Sequence, residues 1–281
     1  VDDLLRRCTF PPAGTAVTCA VSGGADSLAL LVLARAAGCE VTAIHVDHRL
    51  RDGSAAEAEV VRAAAQRFGA KFSAVTVVVR TGPNLEARAR EARYAALPAG
   101  VLTGHTADDQ AETILLNLLR GSGLDGLAGM AADGHPLLGL RRSETRELCA
   151  HLGLAWVEDP SNADPVHRRN RVRAELLPLL DAIAERDVAP LLARQAGTLR
   201  DEATLLDALA AGLDPTDARA VTAAPVALGR RAVRRWLAGS GYPPDLATVE
   251  RVLAVARGQV RATDVGGGRR VVRSRGRLSL S

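Results

Sequence analysis

Ser22-Gly23-Gly24-Ala25-Asp26-Ser27 closes the apolar run from Ala16 and leads straight into a helical pattern from Asp26 to Ala37. Two adjacent glycines let the backbone turn tightly and approach an anion. The helix that follows offers unpaired N–H groups and the positive end of its dipole. This combination suits a phosphate group, and Ser22 and Ser27 add hydroxyl donors. Asp26 serves there either as a helix cap or as a ligand for the Mg²⁺ that accompanies a polyphosphate.

Other nucleotide motifs are poorer matches. A Walker loop requires a lysine before its Ser/Thr, and Lys71 is the only lysine in the chain. Gly121-Ser-Gly123-Leu-Asp-Gly126 has dinucleotide-site spacing but follows a helix rather than a strand, which removes the physical basis of that motif. Asp108, Asp109 and Glu112 open a further helix at the carboxyl end of a strand, where open α/β sheets take ligands. Asp109 and Glu112 are one turn apart and can face one pocket, the plainer alternative being capping and solvated surface acids. His45 and His48 flank Asp47 at a strand end, and a period of two separates them to opposite faces, against a joint metal site. His105 is expected to hold the loop before the Asp109 helix, and Trp156 and Trp236 to sit in cores.

The elements that must carry these groups alternate. Strands are predicted at 16–22, 41–47, 72–79 and 101–104, and helices at 26–37, 54–68, 84–97 and 107–120. Short connections between alternating strands and helices give a parallel sheet covered by helices on both faces. After Arg141 the pattern turns helical, with helices at 143–151, 169–182 and 188–211. Two more helices at 226–239 and 245–257 precede strand-like runs at 259–265, 270–273 and 277–280, which make a small α+β domain.

The 281 residues suit about two domains. Hydrophobic residues at 47% and charged residues at 24% exclude a disordered chain, and aromatics at 2% mean that a nucleic-acid surface here works by charge more than by stacking. Residues 1–165 carry a net −4 and 166–281 a net +8, and 219–281 holds 13 arginines against three acids, a surface for a polyanion. Cys8, Cys19, Cys39 and Cys149 contain no CxxC pair and read as reduced, mostly buried thiols. No signal-like or membrane-length apolar segment is present, so the expectation is a soluble cytoplasmic protein.

The Ser-Gly-Gly-x-Asp-Ser loop resembles the PP-loop of the ATP pyrophosphatases. Further segments narrow the resemblance: His45-Val-Asp47-His48, Ala89-Arg-Glu-Ala-Arg93-Tyr94, Gly104-His105-Thr-Ala-Asp108-Asp109-Gln110-Ala-Glu112, Pro136-Leu-Leu, Glu158-Asp-Pro-Ser-Asn162 and Arg169-Asn-Arg171-Val-Arg173. In that order, over about 16–180, they look like the tRNA(Ile)-lysidine synthetases, in a short form without the extra C-terminal domain of longer members.

The resemblance implies an adenine nucleotide alpha hydrolase-like PP-loop domain over 1–182, a helical linker over 183–215 and a small basic tRNA-binding domain over 216–281. It implies ATP and Mg²⁺, with L-lysine and the tRNA(Ile) of CAU anticodon as partners, and it leaves a homodimer open. Ser22, Gly23, Gly24, Ala25, Asp26, Ser27, His45, Arg93 and Arg171 are then expected at the nucleotide, with Asp26 as the Mg²⁺ ligand. Asp109, Glu112, Arg93 and Asp26 form the expected catalytic set. Arg173, Arg230, Arg231, Arg234 and Arg235 are expected on the tRNA, although the cluster 168–173 suits nucleotide or tRNA backbone equally. The competing expectations are a PP-loop tRNA thiolase, which depends on active-site cysteines, a nucleotide-amidating enzyme, and a non-catalytic binding module.

Overall fold

A computed structural model describes residues 1–47, 54–77, 88, 92, 95–158, 164–239, 241 and 243–281. The predicted helix 84–97, together with His48, Arg93 and most of the segment after Glu158, lies largely outside these residues. The chain divides into two compact units, Val1–Gly197 and Thr198–Ser281.

The first unit opens with a short helix α1 (Asp2–Leu5), followed by β1 (Ala16–Ala20), α2 (Ala25–Ala36), β2 (Glu40–Asp47), α3 (Ser54–Arg67) and β3 (Lys71–Thr76). The three strands pair in parallel in the order β1-β2-β3, with Val17 opposite Val41 and His45 opposite Ala74. Helix α2 is apolar almost all round, and Leu28 to Ala34 are buried without a break. Such a helix must be covered on several sides. It packs on β1 and β2 and also on α6 (Arg142–His151), which contributes Leu148 and Cys149 to the same core.

The predicted strand 101–104 is reduced to a bridge beside β1. Leu102 exchanges backbone hydrogen bonds with Thr18 and Ala20, but Thr103 N–H already donates to Gly134 O, so the chain leaves the sheet there. Helix α4 (Ala107–Leu119) starts just beyond, followed by the single turn α5 (Leu124–Leu127).

The predicted helix 169–182 is α7 (Arg168–Arg171), a π-turn (Val172–Leu176) and α8 (Leu177–Ala184). Pro178 has no N–H to donate and its ring crowds the carbonyl four residues back, and widening the helix over 172–176 accommodates both. Ala111 and Leu115 of α4 pack with Val172 and Leu177, which sets α4 against the π-turn. Helix α9 (Ala189–Ala211) contains the boundary between the two units.

The second unit continues with α10 (Ala218–Ala223), α11 (Val226–Ala238) and α12 (Leu246–Ala256), then an antiparallel sheet of β4 (Ala262–Gly266), β5 (Arg269–Ser274) and β6 (Arg277–Leu280). Its core joins Val233 and Leu237 of α11, Val249 and Val252 of α12, and Val265, Val271 and Leu278 of the strands, with Trp236 packed against it. Trp156 packs against the first unit's core. Among the described residues no helix is long and apolar enough to cross a membrane.

Candidate active site

The glycine loop is built as its residue types require. Gly23 has φ +92°, a conformation that favours glycine, and Gly24 is the extended N-cap of α2. Ser22 N–H donates to Ser27 Oγ at 3.1 Å, and that hydroxyl donates to Gly24 O at 2.8 Å, so the two serines brace the loop across the first turn of the helix. Gly23 O accepts Val157 N–H at 3.0 Å. His45 is buried, and its Nδ1 lies 3.0 Å from Val21 O. With that nitrogen donating, the His45 ring fixes the strand that enters the loop.

Asp26 projects from the first turn of α2. Burial pushes its carboxyl above the usual aspartate range; the Thr145 hydroxyl, which donates to Oδ1, and the nearby Arg142 only partly offset this. Asp26 is a single carboxylate beside the loop, and among the described residues no group of three His, Cys, Asp or Glu side chains could hold a metal ion. Such a donor fits Mg²⁺ that arrives with phosphate and water ligands, not a cage made by protein alone.

Helix α4 begins with a capping box: Thr106 N–H and Oγ1 both donate to Asp109 Oδ2, at 2.9 and 3.0 Å. Capping therefore uses one oxygen of Asp109 and leaves Oδ1 to receive Arg142 Nη2 at 2.9 Å and Arg169 Nη2 at 3.2 Å. Burial pushes this carboxyl up, but Arg142, His105, the Thr106 N–H and Arg169 together hold it below the ordinary aspartate range. Glu112, one turn on, is 0% exposed. It accepts Arg169 Nε at 2.6 Å and Arg173 Nε at 2.7 Å, and Arg142 at 3.3 Å. Asp108 turns the other way, to a two-pronged pair with Arg141 at 2.8 and 3.0 Å and to Arg142 N–H at 2.8 Å.

Asp26, Asp109, Glu112 and Arg173 are thus gathered with Arg142 and Arg169 into one network of three carboxylates and three guanidiniums. Arg171 does not join it. Its side chain is 60% exposed and pairs in two-pronged fashion with Glu175 one turn along, at 2.8 and 2.9 Å. Residues 169 and 173 are a turn apart and share a face, from which 171 points away. Arg93 lies outside the described residues. In the second unit Arg230 pairs with Glu250 at 2.5 Å, Arg231 with Asp207 at 2.6 Å, and Arg235 donates to Asp207 O at 3.0 Å.

Arg142 and Arg169 are the site residues that sequence reasoning missed as individuals. Arg169 belongs to the Arg169-Asn-Arg171-Val-Arg173 segment, and the sequence signal for Arg142 is its place at the start of the helix after Pro136-Leu-Leu. His105 Nδ1 lies 2.7 Å from Thr103 Oγ1, which also meets His135 Nδ1 at 2.5 Å, so His105 fixes the turn before α4.

None of the four cysteines is poised as a thiolate. Burial pushes Cys8 and Cys19 to about 12 and Cys149 to about 11, and it also raises Cys39.

The PP-loop domain family matches residues 4–180 and the TilS substrate binding domain family matches 217–279. The chain is 48% identical over 297 residues to a tRNA(Ile)-lysidine synthase of Nocardia farcinica, covering 96% of this chain and 93% of that one. It is 40% identical over 301 residues to the tRNA(Ile)-lysidine synthase of Thermobifida fusca, with the same coverages of 96% and 93%. Among solved structures, the U34-tRNA thiolase NcsA of Methanococcus maripaludis, with its [4Fe-4S] cluster, superposes with a TM-score of 0.55 at 16% identity. That match covers 70% of this chain and 78% of the thiolase, a likeness of fold. The glycine loop, the acids of α4 and the two matched domains stand in a sequence so close to these relatives that the chain belongs to the tRNA(Ile)-lysidine synthase family.

Proposed function

We propose that this chain joins free L-lysine to C2 of the cytidine at the first anticodon position of tRNA(Ile) with a CAU anticodon, cleaving ATP to AMP and pyrophosphate in the cytoplasm. The observation that carries this reading is that Asp109 and Glu112 meet Asp26 of the glycine loop through one guanidinium, in a chain of this family. Residues 1–182 are the catalytic domain, 183–215 the helical linker and 216–281 the part that holds tRNA.

The C2 oxygen of cytosine is a poor leaving group. In the first step it attacks the α-phosphate of ATP, and pyrophosphate departs. The lone pair of the lysine ε-amine then forms the C–N bond at C2, the C–O bond breaks, and AMP carries off the former C2 oxygen while the amine loses its protons to solvent. Catalysis of this kind is mostly alignment and charge stabilisation. Ser22, Gly23, Gly24, Ala25 and Ser27 would cradle the pyrophosphate at the N-terminus of α2, with His45 fixing the strand that lines the adenine side. Asp26 would hold Mg²⁺, which when bound screens the phosphate charge.

Arg93 is assigned to the phosphates by its place in the family motif. Asp109 stays ionised because its carboxyl is held low. That makes it a weak proton acceptor and a good partner for the α-ammonium of lysine, which leaves the ε-amine to react. An anticodon-loop base can be splayed into such a site without opening a duplex. Arg230, Arg231, Arg234 and Arg235 lie on the helix that would meet the tRNA phosphates.

Asp109→Asn tests the reading. The variant should bind tRNA as the wild type does and form no lysidine. Unchanged turnover would take Asp109 out of the reaction.

A further inference from the structure

Arg142 joins the two ends of the network. It stands at the first position of α6, where its backbone N–H is fixed to Asp108 Oδ2 at 2.8 Å and where Thr145, one turn on, donates to Asp26. From this anchored base the guanidinium reaches Asp26 Oδ2 with Nε at 3.5 Å, Asp109 Oδ1 with Nη2 at 2.9 Å and Glu112 Oε1 with Nη1 at 3.3 Å. Arg169 and Arg173 come from a different part of the chain and pair with the acids of α4.

The charges of the network cancel, three carboxylates against three guanidiniums. Adding an ammonium to Asp109 in this state would set a third cation beside Arg142 and Arg169. A polyphosphate on the glycine loop changes the balance, because a guanidinium fork prefers paired phosphate oxygens to a carboxylate that it shares with other cations.

We propose that Arg142 is a shared counter-ion that makes the nucleotide site and the amine site depend on one another. With both sites empty it neutralises Asp26 and Asp109 together. With a polyphosphate in place it turns to the phosphates, and Asp109 is released to receive an amino-acid ammonium. The inference rests on the reading of ATP and lysine as substrates and assigns Arg142 a positioning role, acting through Asp109.

The test is the dissociation constant of L-lysine for the full chain with tRNA and Mg²⁺, measured by calorimetry with and without α,β-methylene-ATP. In the wild type the nucleotide should tighten lysine binding about tenfold, within the roughly 5- to 150-fold span of site-to-site coupling, and lysine should tighten the nucleotide by the same factor. In Arg142→Met the ratio should fall to near one. In Arg142→Lys, which keeps the charge but lacks the fork, it should fall most of the way. A purely structural role would weaken lysine binding equally in both conditions and leave the ratio intact.

Folded variants that keep the wild-type ratio would overturn the proposal. So would a wild-type ratio of one in a preparation that forms lysidine, which needs no variant to fold. A wild type that neither binds nor transfers lysine would overturn the functional reading instead.

Discussion

Gly104 lies so close to Asp26 that a β-carbon on it would stand 2.5 Å from the Asp26 carbonyl oxygen and 3.0 Å from Ser27 N. The obstacle is backbone, so nothing flexible can yield. Gly104→Ala should therefore displace the first turn of α2, costing about 1–3 kcal/mol of stability and weakening nucleotide binding disproportionately. A thermal melt together with nucleotide titration checks this, and wild-type values in both would contradict the close approach.

Glu112 and Arg171 should respond in opposite ways. Glu112→Gln leaves Arg169 and Arg173 facing a neutral group. Because these arginines are 29% and 31% exposed, solvent offsets part of the roughly 3 kcal/mol that breaking a fully buried pair costs, and a loss of about 1–2 kcal/mol is expected. Lysidine formation should be lost as well. Arg171→Ala removes only a solvent-exposed pair with Glu175 and should leave melting temperature and turnover near wild type. A large loss of ATP affinity in Arg171→Ala would put that residue at the nucleotide after all.

The aspartates predict a pH signature with two signs. Burial raises Asp109, but Arg142 and its other partners hold the folded-state carboxyl below the unfolded value of about 3.9. Its stabilising contribution is therefore fully present above that value and is lost as pH falls through the lower, folded one. Asp26 is raised by burial, so it destabilises the fold when ionised. Melting temperature followed from pH 6 to about pH 3 should fall at the acid end, and Asp109→Asn should flatten that fall. Asp26→Asn should melt higher than wild type at neutral pH and be inactive, the trade expected where a site holds a charge that the fold resists. A lower melting temperature for Asp26→Asn at neutral pH would contradict the sign.

In the second unit, Arg231 is 12% exposed and bound to Asp207, whereas Arg230 is 46% exposed. Arg231→Ala should lower the melting temperature. Arg230→Ala combined with Arg234→Ala should mainly weaken tRNA binding and reduce the slope of log K against log salt by about one for each phosphate no longer neutralised. An unchanged slope would remove this face from the tRNA interface.

Much of the architecture could be read from local pattern. The apolar runs at Ala16 and Val41 and the apolar helix between them announce a buried parallel sheet, and the Gly-Gly-x-Asp turn between them marks its ligand end. The bridge at Leu102 was less visible. Whether residues 101–104 form a strand depends on Gly134, which captures Thr103 N–H from more than thirty residues away. The same holds for the arginines. Arg169 and Arg171 look alike in sequence, and only the packing of Val172 and Leu177 on α4 decides which of them meets Glu112. Arg142 is invisible to spacing because its partners Asp26 and Asp109 come from two other helices.

Whether this chain makes lysidine is tested most directly by incorporation of labelled L-lysine into tRNA(Ile) with a CAU anticodon. The reaction would contain ATP and Mg²⁺, with AMP and pyrophosphate followed in the same tube. The predicted result is label in the tRNA with one AMP released for each lysine joined. AMP and pyrophosphate released while the tRNA stays unlabelled would contradict it and would assign the PP-loop chemistry to another nucleophile.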